Sequence, residues 1–188
     1  MKKGGIPQKE TRYSNASASI SLELPIRSSR KEGNGMHVIE ALQTYNGNET
    51  SLFLAGGITG CPDWQKDMIE ELKDSPLVLF NPRRASFPIE EKNAARAQIE
   101  WEHLHLRKAA AISFWFACET LNPIVLYELG AWSMTNKKLF VGVHPAYQRV
   151  QDVWIQTALV RPDVPIVASI EELVQDITSW TKNALANT

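Results

Sequence analysis

Short apolar runs alternate with amphipathic segments along most of this chain. Ser51-Leu-Phe-Leu-Ala55, Leu77-Val-Leu-Phe80, Ala111-Ile-Ser-Phe-Trp-Phe116, Lys138-Leu-Phe-Val-Gly142 and Val164–Val167 have the length and content of buried parallel strands. Between them the apolar positions fall at helical spacing. Asp63 is a candidate cap for a helix over Trp64–Lys73, with Met68, Ile69 and Leu72 inward. Further helices are predicted over Gln98–Ala109, Ile124 to about Thr135, Val150–Leu159 and Ile170–Ala186. Pro123 stands where a helix favours its first residue. Met36–Leu42 reads as either a short strand or a helical turn, and Arg83–Arg96 as a charged loop with a helical start.

Strands that alternate with helices, each strand short and apolar, predict a parallel sheet covered on both faces. The most economical arrangement is a flavodoxin-like α/β three-layer sandwich with a five-stranded, mostly parallel sheet. Its crevice should lie beyond the C-terminal ends of the strands, where the strand order switches. Gly56-Gly57, Asn81 and the stretch Trp115–Asn122 follow three of the strands, so they collect there. Residues 51–188 are read as the α/β domain and residues 1–50 as an N-terminal arm and lead-in. Within the arm, the alternation Ile20–Ile26 could pair with a neighbouring subunit, or the arm is simply flexible.

Composition narrows the function classes. Hydrophobic residues make up 44% and charged residues 22%, as in an ordinary globular protein. A net charge of −1 gives no reason to expect a nucleic acid polymer or an anionic membrane as partner, although residues 1–35 are basic. Cys61 and Cys118 lack CxxC spacing, and His103 and His105 have no metal spacing with other ligands, so no metal site is expected. The absence of a long apolar stretch or a signal-peptide core leads to the expectation of a cytoplasmic protein.

The chemistry centres on acidic residues. Glu128 is the one charge on the helix after Pro123, and it shares a face with Ile124, Ala131 and Trp132. A carboxylate on an apolar stripe is costly unless it is paired or used. Glu102 falls at i+3 from Ile99 and i−4 from Leu106, so it too can face inward, with a surface ion pair to Arg107 or Lys108 as the alternative. Two inward carboxylates beside Trp115 and Phe116 suit glycosidic-bond chemistry, in which positive charge grows on the anomeric carbon and the rings hold a flat base. Gly56-Gly57-Ile-Thr-Gly60 fits neither G-x-G-x-x-G nor a P-loop; it is a tight turn, or bare backbone that lets a ligand approach. Asp63, first a helix cap, is also a candidate hydroxyl acceptor. Asn81-Pro-Arg-Arg84 is a turn with solvated arginines, or a polar subsite for a substrate or phosphate.

At these residues the chain resembles the nucleoside 2-deoxyribosyltransferase-like family. The matching pieces are Leu54-Ala-Gly-Gly-Ile-Thr-Gly60 with Asp63-Trp64-Gln65, Asn81-Pro-Arg-Arg84, Gln98-Ile-Glu-Trp-Glu102, Ile112–Phe116, Pro123–Gly130 and Val141–Tyr147. The resemblance implies a flavodoxin-like fold and double displacement. Glu128 would attack the anomeric carbon to form a covalent glycosyl-enzyme, and Glu102 would bind sugar hydroxyls. The substrate-binding set it implies is Gly56, Gly57, Asp63, Trp64, Asn81, Arg83, Gln98, Trp115, Phe116, Glu119 and Asn122. The implied partners are a nucleoside or nucleotide and a free nucleobase, without a cofactor, in a homo-oligomer. Where transferases of this type carry an aspartate before the nucleophile helix, this chain has Asn122, with Glu119 close by. An amide recognises a base but is no general acid at neutral pH. Transfer to a base, hydrolysis as by the family's nucleotide N-glycosidases (with Arg83 or Arg84 on the phosphate), and a non-catalytic nucleotide-binding or assembly role all remain open at this level.

Overall fold

The computed structural model describes residues 35–84 and 94–186. The arm alternation at Ile20–Ile26 and most of the Arg83–Arg96 loop lie outside the described residues. In chain order the elements are β1 (His37–Glu40), β2 (Ser51–Gly56), α1 (Trp64–Glu71), β3 (Val78–Asn81), α2 (Ala94–Lys108) and β4 (Ala111–Phe116). They continue with α3 (Pro123–Ser133), β5 (Lys138–Val143), α4 (Val150–Val160), β6 (Ile166–Val167) and α5 (Ile170–Ala186).

Among the described residues the sheet has six strands in the order β1-β3-β2-β4-β5-β6, and every pairing is parallel. The flavodoxin-like α/β arrangement is present; the expected count of five strands and the allowance for antiparallel pairing are corrected. The additional strand is β1, drawn from the segment that read as either strand or turn. It sits at the edge, its residues only partly buried, so it lacks the apolar run that marks the inner strands. At the other edge, only Ile166 and Val167 of the expected Val164–Val167 strand pair with β5.

Alternation along the strands divides the core into two layers. Phe53 and Ala55 of β2, Ile112, Phe114 and Phe116 of β4, and Leu139, Val141 and Val143 of β5 pack on the face covered by α2, α3 and α4. Leu52, Leu54, Trp115 and Phe140 point to the other face, under Trp64, Met68 and Leu72 near α1 and Leu173 and Ile177 of α5. The chain turns from β2 towards β3 on one side and then, through α2, crosses back to β4 on the other. Right-handed crossovers of opposite direction put α1 and α3 on opposite faces. The switch point therefore falls between β2 and β4, and the loops that follow these strands part there.

Candidate active site

A cavity of about 350 Å³ opens at this switch point on the α2/α3 face. Its floor is Phe53, Ala55 and the backbone of Gly56 and Gly57. Its sides are Ile58, Thr59, Pro82, Thr120, Asn122 and the first residues of α3. Both Glu102 and Glu128 line it. The two carboxylates proposed from helical phase thus meet in one chamber, one from α2 and one from α3.

Neither carboxyl sits in its ordinary range. Burial pushes Glu128 up to about 7, and the nearby charge of Glu102 adds to the shift. Burial also raises Glu102, while a hydrogen bond from Gln98 opposes the rise. Among the described residues no hydrogen bond or ion pair reaches Glu128. Glu102 accepts from Gln98 Nε2 at 2.7 Å and makes no ion pair with Arg107 or Lys108. Lys108 instead donates to the Tyr45 carbonyl. An isolated, partly dried carboxylate that keeps access to a cavity is an arrangement that cores avoid and reactive sites use.

The loops are shaped by close packing. A Cβ on Gly56 would overlap the Trp64 ring, and one on Gly57 would overlap the Asn122 side-chain oxygen and Cys61 Sγ. The glycine pair therefore lets the β2 and β4 loops touch as well as leaving backbone bare in the cavity. Asn122 precedes α3 in the left-handed region (φ 46°, ψ 53°), a conformation asparagine tolerates. Its side chain does not cap the helix. Its amide nitrogen donates to the Ala117 and Thr120 carbonyls at 3.1 Å each, and its oxygen accepts from Thr120 Oγ1 at 2.7 Å. Both amide hydrogens are thus spent within the loop.

The remaining candidates stand back from the chamber. Trp64 is buried and donates from Nε1 to the Gly57 carbonyl at 2.9 Å. Asp63 caps α1 through the Lys66 N–H and pairs with Arg83 at 3.2 Å. Arg83 also donates to Gln65 Oε1 and to the carbonyls of Ile58, Cys61 and Pro62, so it fastens the β2–α1 loop. The side chain of Asn81 accepts from the Arg83 N–H and shapes the turn. Gln98 lies behind Glu102. Trp115 and Phe116, expected as a stacking surface, do not line the cavity: alternation turns Trp115 to the α1/α5 face, and Phe116 is fully buried against Tyr147. Glu119 is exposed at the tip of the β4–α3 loop. Thr59 and Ile124 line the cavity unannounced by any pattern beyond their place next to Gly57 and Pro123.

A family model described as "Nucleoside 2-deoxyribosyltransferase like" matches residues 49–147, more than half of the chain. The chain belongs to this nucleoside 2-deoxyribosyltransferase-like family. The match runs from β2 to the turn after β5 and takes in every residue that lines the chamber. No curated protein gives a significant match. Among the described residues there is no grouping of three His, Cys, Asp or Glu side chains that could hold a metal ion, and no helix is long and apolar enough to cross a membrane.

Proposed function

We propose that the protein cleaves the N-glycosidic bond of a nucleoside and transfers the sugar to a second base through a covalent adduct on Glu128. The observation that carries this reading is the pair of partly buried carboxyls on the wall of one cavity. Two such groups repel each other in the empty site and are relieved by a cation between them. The sugar becomes that cation as the bond to the base stretches. Relief that grows towards the transition state is the kind of binding that lowers a barrier.

In the first step a Glu128 oxygen attacks the anomeric carbon, and the base departs with the bonding electrons. The departing base takes its proton from solvent water, since the amide of Asn122 is already spent on carbonyls and is no acid. In the second step an incoming base nitrogen, giving up its proton to solvent water, displaces the carboxylate from the opposite side, so two inversions retain the configuration. Glu102 accepts a sugar hydroxyl. A neutral nucleoside suits the chamber better than a nucleotide: among the described residues no Lys or Arg lines it, two acids do, and Arg83 is committed elsewhere. The working unit in this reading is a homo-oligomer.

The deciding experiment incubates the purified protein with a deoxynucleoside, with and without a second free base. Base exchange is expected, with a sugar adduct on the Glu128 peptide by mass spectrometry and no turnover in Glu128→Gln. Free sugar as sole product would make the reaction a hydrolysis. Undiminished turnover by Glu128→Gln would overturn the assignment of the nucleophile.

A further inference from the structure

Gln98 sits one turn before Glu102 on α2 and is 9% exposed. Its amide nitrogen donates to the Pro82 carbonyl at 2.8 Å and to Glu102 Oε1 at 2.7 Å. An amide has two hydrogens, and these bonds use both. Pro82 and Glu102 line the cavity and Gln98 does not. Among the described residues its own Oε1 is buried without a partner. A buried glutamine that leaves its oxygen unpaired in order to make two donor contacts is held by those contacts, since an orphaned acceptor costs about 1–3 kcal/mol.

We propose that Gln98 is a positioning residue that anchors on the Pro82 carbonyl and clamps Glu102, as an anion, to the cavity wall it shares with Glu128. It never touches the substrate. A donor aimed at a carboxyl favours the charged form over the acid. Without it, two acids in one chamber compete for a single proton, and a proton shared between them blunts the nucleophile. Among the described residues, these charged groups on the neighbouring elements are engaged elsewhere. Arg83 and Asp63 on the neighbouring loops face each other. His105, further along α2, packs on Trp101 and Phe80. Arg149 and Asp152 at the start of α4 are exposed and pair together. In the β4–α3 loop Glu119 is exposed.

The catalytic consequence rests on the proposed transfer reaction; the clamp does not, and the test separates the two. Carboxyl-detected NMR titration of the full chain follows Glu102 and Glu128 without substrate, in the parent protein and in Gln98→Met, which keeps the volume and lacks the donors. The Glu102 midpoint should rise by ~1 pH unit, the scale expected for loss of one hydrogen bond to a carboxylate. Gln98→Asn, which keeps the amide but shortens its reach, should shift it the same way and serves if the first variant does not fold. An unmoved Glu102 midpoint in the folded variant overturns the clamp whatever the turnover. For activity, Gln98→Met should move the acid limb of kcat/KM to higher pH and raise KM. In a Glu102→Gln background it should cost less than about 2-fold more, because a residue acting through Glu102 has nothing left to act on. Losses that multiply in the double variant would mean that Gln98 contacts the substrate, and would overturn the proposal.

Discussion

A carboxylate held up at about 7 is a charge that the fold tolerates rather than welcomes, and this fixes the sign of its effect on stability. Unfolded, Glu128 ionises near the ordinary glutamate value, so below that value both states carry the proton and the group is neutral to stability. As pH rises from there to about 7, the unfolded chain releases its proton first and stability falls; above 7 the loss is complete. Glu128→Gln should therefore raise the melting temperature at pH 8, by the equivalent of about 1–2 kcal/mol after screening of a half-buried group, and change nothing near pH 4. Thermal melts at the two pH values check this; an equal gain at both would place the effect in packing instead. Activity should climb through pH 7 as Glu128 ionises. Asn122 carries the opposite lesson. From the sequence it stands out as an amide where the family's transferases carry an acid, but its two donor bonds become visible only once Ala117 and Thr120 are brought against it. Asn122→Asp would set a carboxylate against two carbonyls and should lower stability by about 1–3 kcal/mol, read by denaturant unfolding, without creating an acid for the leaving base.

At the scale of elements, the inner strands were legible because each is an apolar run too short for a helix, and the helices because their apolar positions keep a 3.6-residue period. The edges were not. β1 is four residues and half-exposed, so its segment read as either strand or turn, and of the expected Val164–Val167 strand only two residues pair. Glu102 and Glu128 were legible as carboxylates in apolar company. The misplacement of the aromatic surface came from reading strand ends as crevice without following the alternation, which sends Trp115 to the far face. Arg83 was read as a solvated or phosphate-binding arginine, since a guanidinium gives no sign in the sequence of which carbonyls it will meet. It joins the turn after β3 to the loop after β2 through three carbonyls and Asp63. Arg83→Met should cost about 2–3 kcal/mol by removing a charged donor from several acceptors. It should also raise KM for nucleoside and nucleotide alike. Selective loss of the nucleotide in a steady-state comparison would restore the phosphate role.

At the scale of the whole molecule, the layer of α2, α3 and α4 is finished on its inner side and unfinished on its outer side. Tyr127 in the middle of α3 and Met134 at its C-terminal cap are 77% and 78% exposed, and Leu159 on the adjoining α4 is 75% exposed, with Trp154 and Ile155 beside it. No charged side chain of α3 other than Glu128 interrupts this surface. Scattered apolar residues on a surface are ordinary, but two neighbouring helices that both turn aromatic and aliphatic groups outward mark a contact face. Ile124, 65% exposed, belongs at once to this surface and to the cavity wall, so whatever covers the helices also closes the chamber. In the homo-oligomer proposed above, a second copy of the chain would cover this surface and supply the same apolar chemistry in self-complementary form. The protein should then sediment at a multiple of its 21.1 kDa chain mass. Tyr127→Glu, placed on the exposed face away from the cavity lining, should drive it to a single chain, because an unpaired charge at the centre of an apolar contact costs more than such contacts spare. Specific activity should fall with dilution in step with dissociation, since an open chamber admits the water that separates hydrolysis from transfer. A parent protein that sediments as one chain, with turnover independent of concentration, would leave this surface without its partner and the chamber complete in a single subunit.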